Sequence, residues 1–104
     1  MKRPEIVEQI RKIVHHVVPD ATTILYGSEA RGDARADSDI DLLVLLDGER
    51  LDWERQEKVA APLYDIELNT GVQISPIIML RKHWENRPFK TPFYVNVMND
   101  GIVL

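Results

Sequence analysis

The 104-residue sequence contains no cysteine. Disulfide bonds and cysteine-ligated zinc sites are therefore excluded, and a cytoplasmic location is the default expectation. Long apolar runs are also missing, because no stretch approaches the ~20 residues that a membrane-spanning helix needs. The charged opening, Met1–Glu5, is not followed by the apolar core of a signal peptide. The composition thus predicts a cytoplasmic protein that does not insert into a membrane.

An excess of positive charge is absent as well. The 13 Lys and Arg residues stand against 17 Asp and Glu residues, which gives a formal net charge of −4. Non-specific nucleic-acid binders usually carry a basic surface, so this balance argues against nucleic acid as a non-specific ligand. It leaves room for a nucleotide, or for a folded acceptor that meets local Arg and Lys side chains. The length predicts one domain over residues 1–104, and no repeat or linker divides it.

What the sequence does contain is a glycine-serine turn followed by two closely spaced aspartates. Gly27 and Ser28 follow one apolar run, and Asp39 and Asp41 begin a second run that ends at Leu46. On a strand the two aspartates would point to the same side, with Cα atoms roughly 6.7 Å apart. Two such carboxylates can converge on Mg²⁺, which prefers oxygen ligands and shares them with substrate phosphates. A turn glycine beside a hydroxyl suits a phosphate group, so the combination predicts a site for a nucleoside triphosphate and its metal.

Two other motifs, one that binds a cation and one that binds phosphates, do not match the sequence at the positions they require. The alternating aspartates at 37, 39 and 41 match the start of an EF-hand loop, which requires glycine at its sixth position and glutamate at its twelfth. Those positions are occupied by Leu42 and Gly48. A P-loop requires Gly-Lys-Ser/Thr after its glycine-rich turn. No such lysine follows Gly27, and Gly32 is followed by Asp33.

The motif resembles that of the minimal nucleotidyltransferases, a group within the superfamily that includes DNA polymerase beta. Its elements are Gly27-Ser28, Arg31-Gly32 and Ser38-Asp39-Ile40-Asp41-Leu42, and the length of the loop between them also matches. The resemblance implies the nucleotidyltransferase fold, with ATP or another NTP as substrate and Mg²⁺ as cofactor. It also makes a HEPN-domain protein an expected partner, because some relatives are antitoxins that add AMP to a tyrosine of a HEPN toxin encoded beside them.

The resemblance assigns roles to the matching residues. Asp39 and Asp41 would be catalytic and would ligate the metal. Contacts to the nucleotide phosphates would come from four further residues: Gly27, Ser28, Arg31 and Ser38. An ordinary structural role is also open for each of them. Gly27 can serve only a special backbone conformation, and Ser28 can be a simple turn hydroxyl. Arg31 can pair with a nearby aspartate at the surface, and Ser38 can shape the loop.

One position departs from the family pattern. Complete members usually carry a third carboxylate on the third strand, where it helps to hold the catalytic metal and to activate the attacking hydroxyl. The corresponding segment here is Val72–Ile78, and Ser75 occupies the third-carboxylate position. Metal affinity and proton abstraction should both suffer from this change. Asp65 or Glu67, in the preceding helix, are alternative sources of the missing carboxylate.

Apolar periodicity and turn residues predict the secondary structure. Pro62 would either kink the second long helix or start a new one, and Pro76 places the third strand at an edge or at a bulge. The expected fold class is α+β, an α/β sandwich in which a small mixed sheet is backed by helices. Helices are predicted for Pro4–Val17, Asp52–Asn69, Lys82–Asn86 and Thr91–Gly101, with strands for Ala21–Tyr26, Asp39–Leu46 and Val72–Leu80.

Two functions stay open from the sequence. The first is an enzyme that transfers a nucleoside monophosphate, with ATP as the expected donor, to a hydroxyl group of a partner. The second is a module that keeps nucleotide or metal binding but neutralises a HEPN protein by covering it. The missing third carboxylate favours the second. A homo-oligomer is compatible with both.

Overall fold

The elements follow the predicted alternation of helices and strands. The computed structural model describes all 104 residues. In none of the helices is an apolar stretch long enough to cross a bilayer. In chain order the elements are α1 (Pro4–Val17), β1 (Thr22–Tyr26), α2 (Gly27–Arg31), β2 (Ile40–Leu46), α3 (Trp53–Thr70), β3 (Ile74–Leu80), α4 (Arg81–Glu85), α5 (Pro92–Asp100) and β4 (Ile102–Val103).

The four strands form one mixed sheet in the order β3-β2-β1-β4. Strand β1 is antiparallel to β2 and to β4, whereas β2 and β3 are parallel. A parallel pair needs a long crossover connection, which α3 supplies. Helices α1 and α3 pack against one face of the sheet, and α4 and α5 pack against the other. This architecture confirms the predicted α+β fold class.

Strand β2 lies at the centre of the core. Its residues Ile40–Leu46, apart from Asp41, are at most 3% exposed. Alternate side chains, beginning with Ile40, pack against α1 and α3. Leu43 and Leu45 point the other way, toward Trp84 and Val97 of α4 and α5. Because side chains alternate along a strand, Asp41 lies on the α4–α5 face, where it stays partly exposed.

Helix α3 runs through Pro62 without interruption. It begins after Asp52, whose Oδ1 accepts a hydrogen bond from the backbone N–H of Arg55 at 2.9 Å. It ends at Gly71, which adopts the left-handed conformation with φ +74° that favours glycine after a helix. The alternative in which Pro62 starts a new helix is therefore wrong, since α3 is one helix of 18 residues.

Helix α5 begins as predicted from its capping residues. The Thr91 hydroxyl accepts a hydrogen bond from the backbone N–H of Tyr94 at 3.1 Å, and Pro92 is the first helical residue. Gly101 follows the helix with φ −63°, so its backbone conformation does not require glycine. The available space does require glycine, because a Cβ at position 101 would lie 2.4 Å from the Val97 carbonyl oxygen and 2.8 Å from Ile24 Cγ2.

The strands differ from the sequence prediction in their limits and in number. Strand β1 begins at Thr22 rather than Ala21, β2 begins one residue after Asp39, and β3 begins at Ile74 rather than Val72. Strand β4 was not predicted. It has two residues, too few for an alternating pattern, and it depends on β1, a partner almost eighty positions earlier in the chain.

Strand β3 is an edge strand, as Pro76 predicts. The Gln73 carbonyl accepts a hydrogen bond from the backbone N–H of Ile40 at 2.9 Å. Because hydrogen bonding to one neighbour alternates along a strand, the backbone nitrogen atoms of Ile74 and Pro76 are directed away from β2. The outward N–H of Ile74 donates to Glu67 Oε1 at 2.9 Å, and proline has no N–H. These two residues therefore protect the edge against pairing with another strand.

Glu29 is the one charged side chain that is completely buried. Its Oε2 accepts hydrogen bonds from the backbone N–H groups of Lys2 (2.6 Å) and Arg3 (2.9 Å), and its Oε1 accepts one from Arg3 Nε at 2.6 Å. Burial alone would raise the pKa of Glu29, but these hydrogen bonds and the Arg3 charge outweigh it and hold the pKa below its ordinary value. The carboxylate thus joins α2 to the segment that precedes α1.

We expect Glu29→Gln to lower the free energy of unfolding by about 1–3 kcal/mol at neutral pH. Because the folded-state pKa is depressed, this contribution is fully present above the unfolded value of about 4.3 and is lost as the pH falls through the lower folded value. Urea unfolding at pH 7 and at pH 3 checks this. The difference from wild type should shrink in acid, whereas a constant difference would contradict the assignment. Glu57→Gln, at an exposed carboxylate of α3 that forms no ion pair, is the control.

Candidate functional site

The two motif aspartates meet Ser75 on the α4–α5 face of the sheet. Asp41 is the register partner of Ser75 across the β2–β3 pair. The Ser75 hydroxyl donates a hydrogen bond to Asp39 Oδ2 at 3.1 Å. Asp39 lies just before β2, and Asp41 is its second residue. Ser75 thus faces the carboxylates, as its predicted position requires.

The two carboxylates lie close enough to affect each other electrostatically. Burial, and then the negative charge of Asp39, raise the pKa of Asp41 above its ordinary value, while the positive charge of Arg31 opposes this shift. Like charges held side by side are unfavourable unless a cation offsets them. Asp39 and Asp41 are therefore the candidate ligands for a positive ion at this site.

Gly27 brings the backbone of the glycine-serine turn against Asp41. Its φ is +76°, a conformation that side-chain-bearing residues rarely adopt. A Cβ at this position would lie 2.5 Å from Asp41 Oδ2. The backbone conformation therefore favours glycine here, a Cβ would displace the Asp41 carboxylate, and the turn and Asp41 form one site.

Gly27→Ala is expected to destabilise the protein more than Gly71→Ala. Gly71 has a similar φ of +74° with nothing within 4 Å of an added Cβ, so its variant has only the conformational cost of about 1–2 kcal/mol. The Gly27 variant has the same cost and must also displace the Asp41 carboxylate. Urea denaturation of both variants measures the difference. Equal destabilisation would show that the contact with Asp41 contributes nothing.

Ser28 lies in the first turn of α2, where backbone N–H groups have no partner within the helix. Its side chain is partly exposed. Its carbonyl oxygen accepts hydrogen bonds from the N–H groups of Gly32 at 3.0 Å and Asp33 at 3.1 Å, which close the helix at its other end. Gly32 has φ +85° and ends α2. The predicted turn is therefore a short helix whose N-terminus begins beside Asp41.

Arg31 and Ser38 have structural partners of their own. Arg31 Nη1 donates to Asp100 Oδ2 at 3.2 Å, and its Nε donates to Asp33 Oδ2 at 3.4 Å. These hydrogen bonds raise the pKa of Arg31, with that from Asp100 first. The Ser38 hydroxyl accepts a hydrogen bond from the backbone N–H of Arg35 at 2.9 Å and so shapes the loop before β2. Their phosphate contacts stay predictions.

The two alternative sources of a third carboxylate lie away from the site. Glu67 Oε1 accepts a hydrogen bond from the backbone N–H of Ile74. Asp65 lines a cavity of about 600 Å³ between α1 and α3, on the face of the sheet opposite Asp39 and Asp41. No group of three or more His, Cys, Asp or Glu side chains is arranged to hold a metal ion. Asp39 and Asp41 are therefore the carboxylates that this site offers.

Aromatic side chains adjoin the site, and the sequence motif does not predict them. Tyr26 is the register partner of Asp41 across the β1–β2 pair. Its ring makes an edge-to-face contact with Phe93 of α5, with centroids 5.5 Å apart. Burial, with a smaller effect of the Asp41 charge, raises the pKa of Tyr26. The one sequence signal for Tyr26 is its place directly before Gly27.

Comparison with known proteins agrees with this geometry. The model of the family described as "Nucleotidyltransferase domain" matches residues 7–103. The chain belongs to this nucleotidyltransferase family. The family resemblance seen in the motif is thereby confirmed, and the site described above lies within the matched region.

One curated relative and two solved structures show how this nucleotidyltransferase domain compares. "Putative protein adenylyltransferase MJ0141" of Methanocaldococcus jannaschii is 31% identical over 100 residues, which are 94% of each chain. A crystal structure of a toxin-antitoxin with AMP-PNP covers 92% of this chain and 69% of the other, with a TM-score of 0.63 and 20% identity. A structure described as a putative nucleotidyltransferase from Sulfolobus solfataricus covers 96% and 82%, with a TM-score of 0.52 and 16% identity. The two structures support the fold.

Proposed function

We propose that this nucleotidyltransferase domain transfers a nucleoside monophosphate, AMP from ATP, to a hydroxyl group of a partner protein. The observation that carries the proposal is the Gly27 turn against Asp41, whose Oδ2 would lie 2.5 Å from a Cβ at position 27, with Asp39 close enough to add to the effect of burial in raising the pKa of Asp41. In the reaction, the acceptor oxygen bonds to the α-phosphorus while the bond from that phosphorus to the bridging oxygen breaks. Pyrophosphate leaves, and the acceptor proton passes to solvent or to a nearby base.

The donor set fits a magnesium ion. Asp39 and Asp41 offer oxygen ligands on one side of the sheet, and their like charges favour a cation between them. When bound, Mg²⁺ offsets the negative charge of the triphosphate and orients it for in-line displacement. Ser75 donates to Asp39 and thereby limits the directions in which that carboxylate can turn.

The turn and α2 would hold the triphosphate. The N-terminal N–H groups of α2, at Ser28 and the residue after it, are donors without helical partners, and the missing side chain of Gly27 lets phosphate oxygens approach. Arg31 is about half exposed and is paired with Asp33 and Asp100. A phosphate would compete with these exposed pairs, which contribute little stability. Ser38 holds the loop from which Asp39 projects.

We propose a toxin protein with a HEPN domain as the acceptor. The name of the M. jannaschii relative describes protein adenylylation, and a structural neighbour is a toxin-antitoxin bound to an ATP analogue. The chain would then act as the antitoxin of such a pair.

One alternative function rests on a specific observation. Ser75 gives the site no third carboxylate, which favours a module that neutralises its HEPN partner by binding it.

A label-transfer experiment separates these functions. The protein, Mg²⁺ and the product of the neighbouring gene are incubated with ATP labelled at the α-phosphate, and in parallel with ATP labelled at the γ-phosphate. Nucleotidyl transfer labels the partner only from the α-position, and chelation of Mg²⁺ should abolish it. Asp39→Asn should abolish it too, whereas the exposed neighbour Asp37, changed to Asn, should not. A stable complex without any label would favour the binding module.

A further inference from the structure

Glu29 lies inside the motif and forms a buried pair with Arg3, but this pair has no part in the chemistry above. Glu29 is the third residue of α2, the helix that begins with Gly27 and Ser28. Its side chain is 0% exposed, and that of Arg3 is 12% exposed. Three hydrogen bonds between 2.6 and 2.9 Å join this carboxylate to Lys2 and Arg3. So many partners at one carboxylate fix its position.

The segment held by Glu29 is firmly attached to the core. Arg3 directly precedes α1, and its carbonyl oxygen accepts hydrogen bonds from the N–H groups of Ile6 and Val7. Ile6, Val7, Ile10 and Val14 are buried against the sheet. On its other side α2 is held by the exposed pair of Arg31 and Asp100. The Arg3–Glu29 pair is therefore a buried polar connection between a short helix and the rigid part of the fold, in addition to the packing of Ala30 against the core.

The position of α2 is critical because the turn closely approaches Asp41. A single added carbon at Gly27 would lie 2.5 Å from Asp41 Oδ2. A small movement of α2 would change the gap between the N–H groups of the turn and the carboxylates. A buried ion pair contributes little net stability compared with apolar residues of the same shape, whereas its directional hydrogen bonds hold two elements in one arrangement.

We propose that Arg3 and Glu29 are positioning residues that hold the Gly27–Ser28 turn against Asp41 and thereby set the affinity for the triphosphate. The inference rests on the proposed function for its ligand, but the placement of the turn can be measured without any nucleotide. Neither residue is expected to touch the nucleotide. Their effect on binding passes through the backbone of α2.

The test uses Arg3→Lys, which keeps the positive charge but replaces the planar guanidinium that reaches Glu29, and Glu29→Gln as a second variant. The control is Arg11→Lys, at an exposed pair with Glu8 in the same helix α1. The amide signals of Gly27 and Ser28 in nucleotide-free protein should shift in Arg3→Lys and not in Arg11→Lys. Arg3 is 26 residues from Glu29 in sequence. A change in the Gly27 and Ser28 amide signals therefore reports the packing of α2 and not an effect of neighbouring residues in the chain.

Binding is then measured by calorimetry with Mg-ATP and by an NMR titration with adenosine. Both Arg3→Lys and Glu29→Gln should lose about 10- to 100-fold in Mg-ATP affinity, as is usual when a residue that orients a ligand group is changed. Adenosine affinity should stay unchanged. The two substitutions combined should cost no more than the worse single one, because each disrupts the same connection.

The outcomes separate this inference from the proposed function. If wild type binds Mg-ATP and both variants bind it equally well, with Gly27 and Ser28 signals unmoved, the positioning role is wrong. If the variants melt at lower temperature but keep their Mg-ATP affinity below that temperature, the pair is structural only, and the inference is overturned. If Gly27 and Ser28 move in Arg3→Lys while wild type binds no nucleotide, the placement of the turn is upheld and the proposed function fails.

Discussion

Asp41→Asn is expected to reduce the Mg²⁺-dependent binding of ATP by about 100-fold or more, while the metal-free protein stays at least as stable as wild type. Changes in groups that only support a metal ligand already cost about 10- to 100-fold, and Asp41 would be a direct ligand. The stability follows from electrostatics, because burial and then the negative charge of Asp39 disfavour the charged form of Asp41. Calorimetric titration with Mg-ATP and thermal unfolding without metal measure the two effects.

Asp37→Asn is the matched control for this prediction. It removes the same charge from an exposed side chain in the loop before β2, two residues before Asp39, so it reports any general effect of the net charge. Unchanged affinity in Asp41→Asn would remove the metal-site assignment. A large drop in the melting temperature of the metal-free Asn variant would mean that Asp41 is needed for the fold, and a binding loss could then not be assigned to the metal.

The sequence predicts those parts of the fold that depend on neighbouring residues. Pro4 and the spacing of apolar residues predict α1, and Thr91, Pro92 and Gly101 predict both ends of α5. The uninterrupted apolar run after Asp41 predicts a central strand covered on both faces, and β2 is buried on both faces from Leu42 to Leu46. Such signals are local, and a single window of sequence contains them.

Contacts between distant segments cannot be predicted from a local window of sequence. Strand β4 exists because β1 offers it an edge, and Asp100 meets Arg31 across 69 positions. The burial of Glu29 likewise depends on Arg3, which is distant in sequence. Nothing in the residues around Glu29 distinguishes it from an exposed helix residue. For the candidate site, the motif predicts the carboxylates and the turn, whereas their supporting contacts emerge only from the packing.

The register of β3 is the part of the site where sequence and structure connect most directly. Alternation along the strand predicts that Ser75 faces the carboxylates while Ile74 and Pro76 point away. The structure pairs Ser75 with Asp41 and places its hydroxyl 3.1 Å from Asp39 Oδ2. A longer acidic side chain at this position would therefore project toward the same space as Asp39 and Asp41.

Ser75→Asp is expected to increase the affinity for Mg²⁺ and to raise any rate of nucleotide transfer by about 10²–10⁴-fold, the usual contribution of a general base. The new carboxylate would add a metal ligand and could accept the proton of the acceptor hydroxyl. Without metal, three like charges close together should lower the melting temperature, and Mg²⁺ should restore it. Magnesium titration followed by thermal unfolding, together with the label-transfer rate, measures these effects.

Ser75→Asn isolates the charge, since asparagine has nearly the same volume as aspartate but is neutral. We expect Ser75→Asn neither to lower the metal-free melting temperature nor to increase the affinity for Mg²⁺ as Ser75→Asp does, and to give no gain in rate. If wild type already transfers nucleotide rapidly and Ser75→Asp changes nothing, another residue supplies the base, and the third-carboxylate role of this position is wrong. If Asp and Asn raise the rate equally, the gain comes from side-chain size, because only the aspartate can add a negative charge beside Asp39 and Asp41.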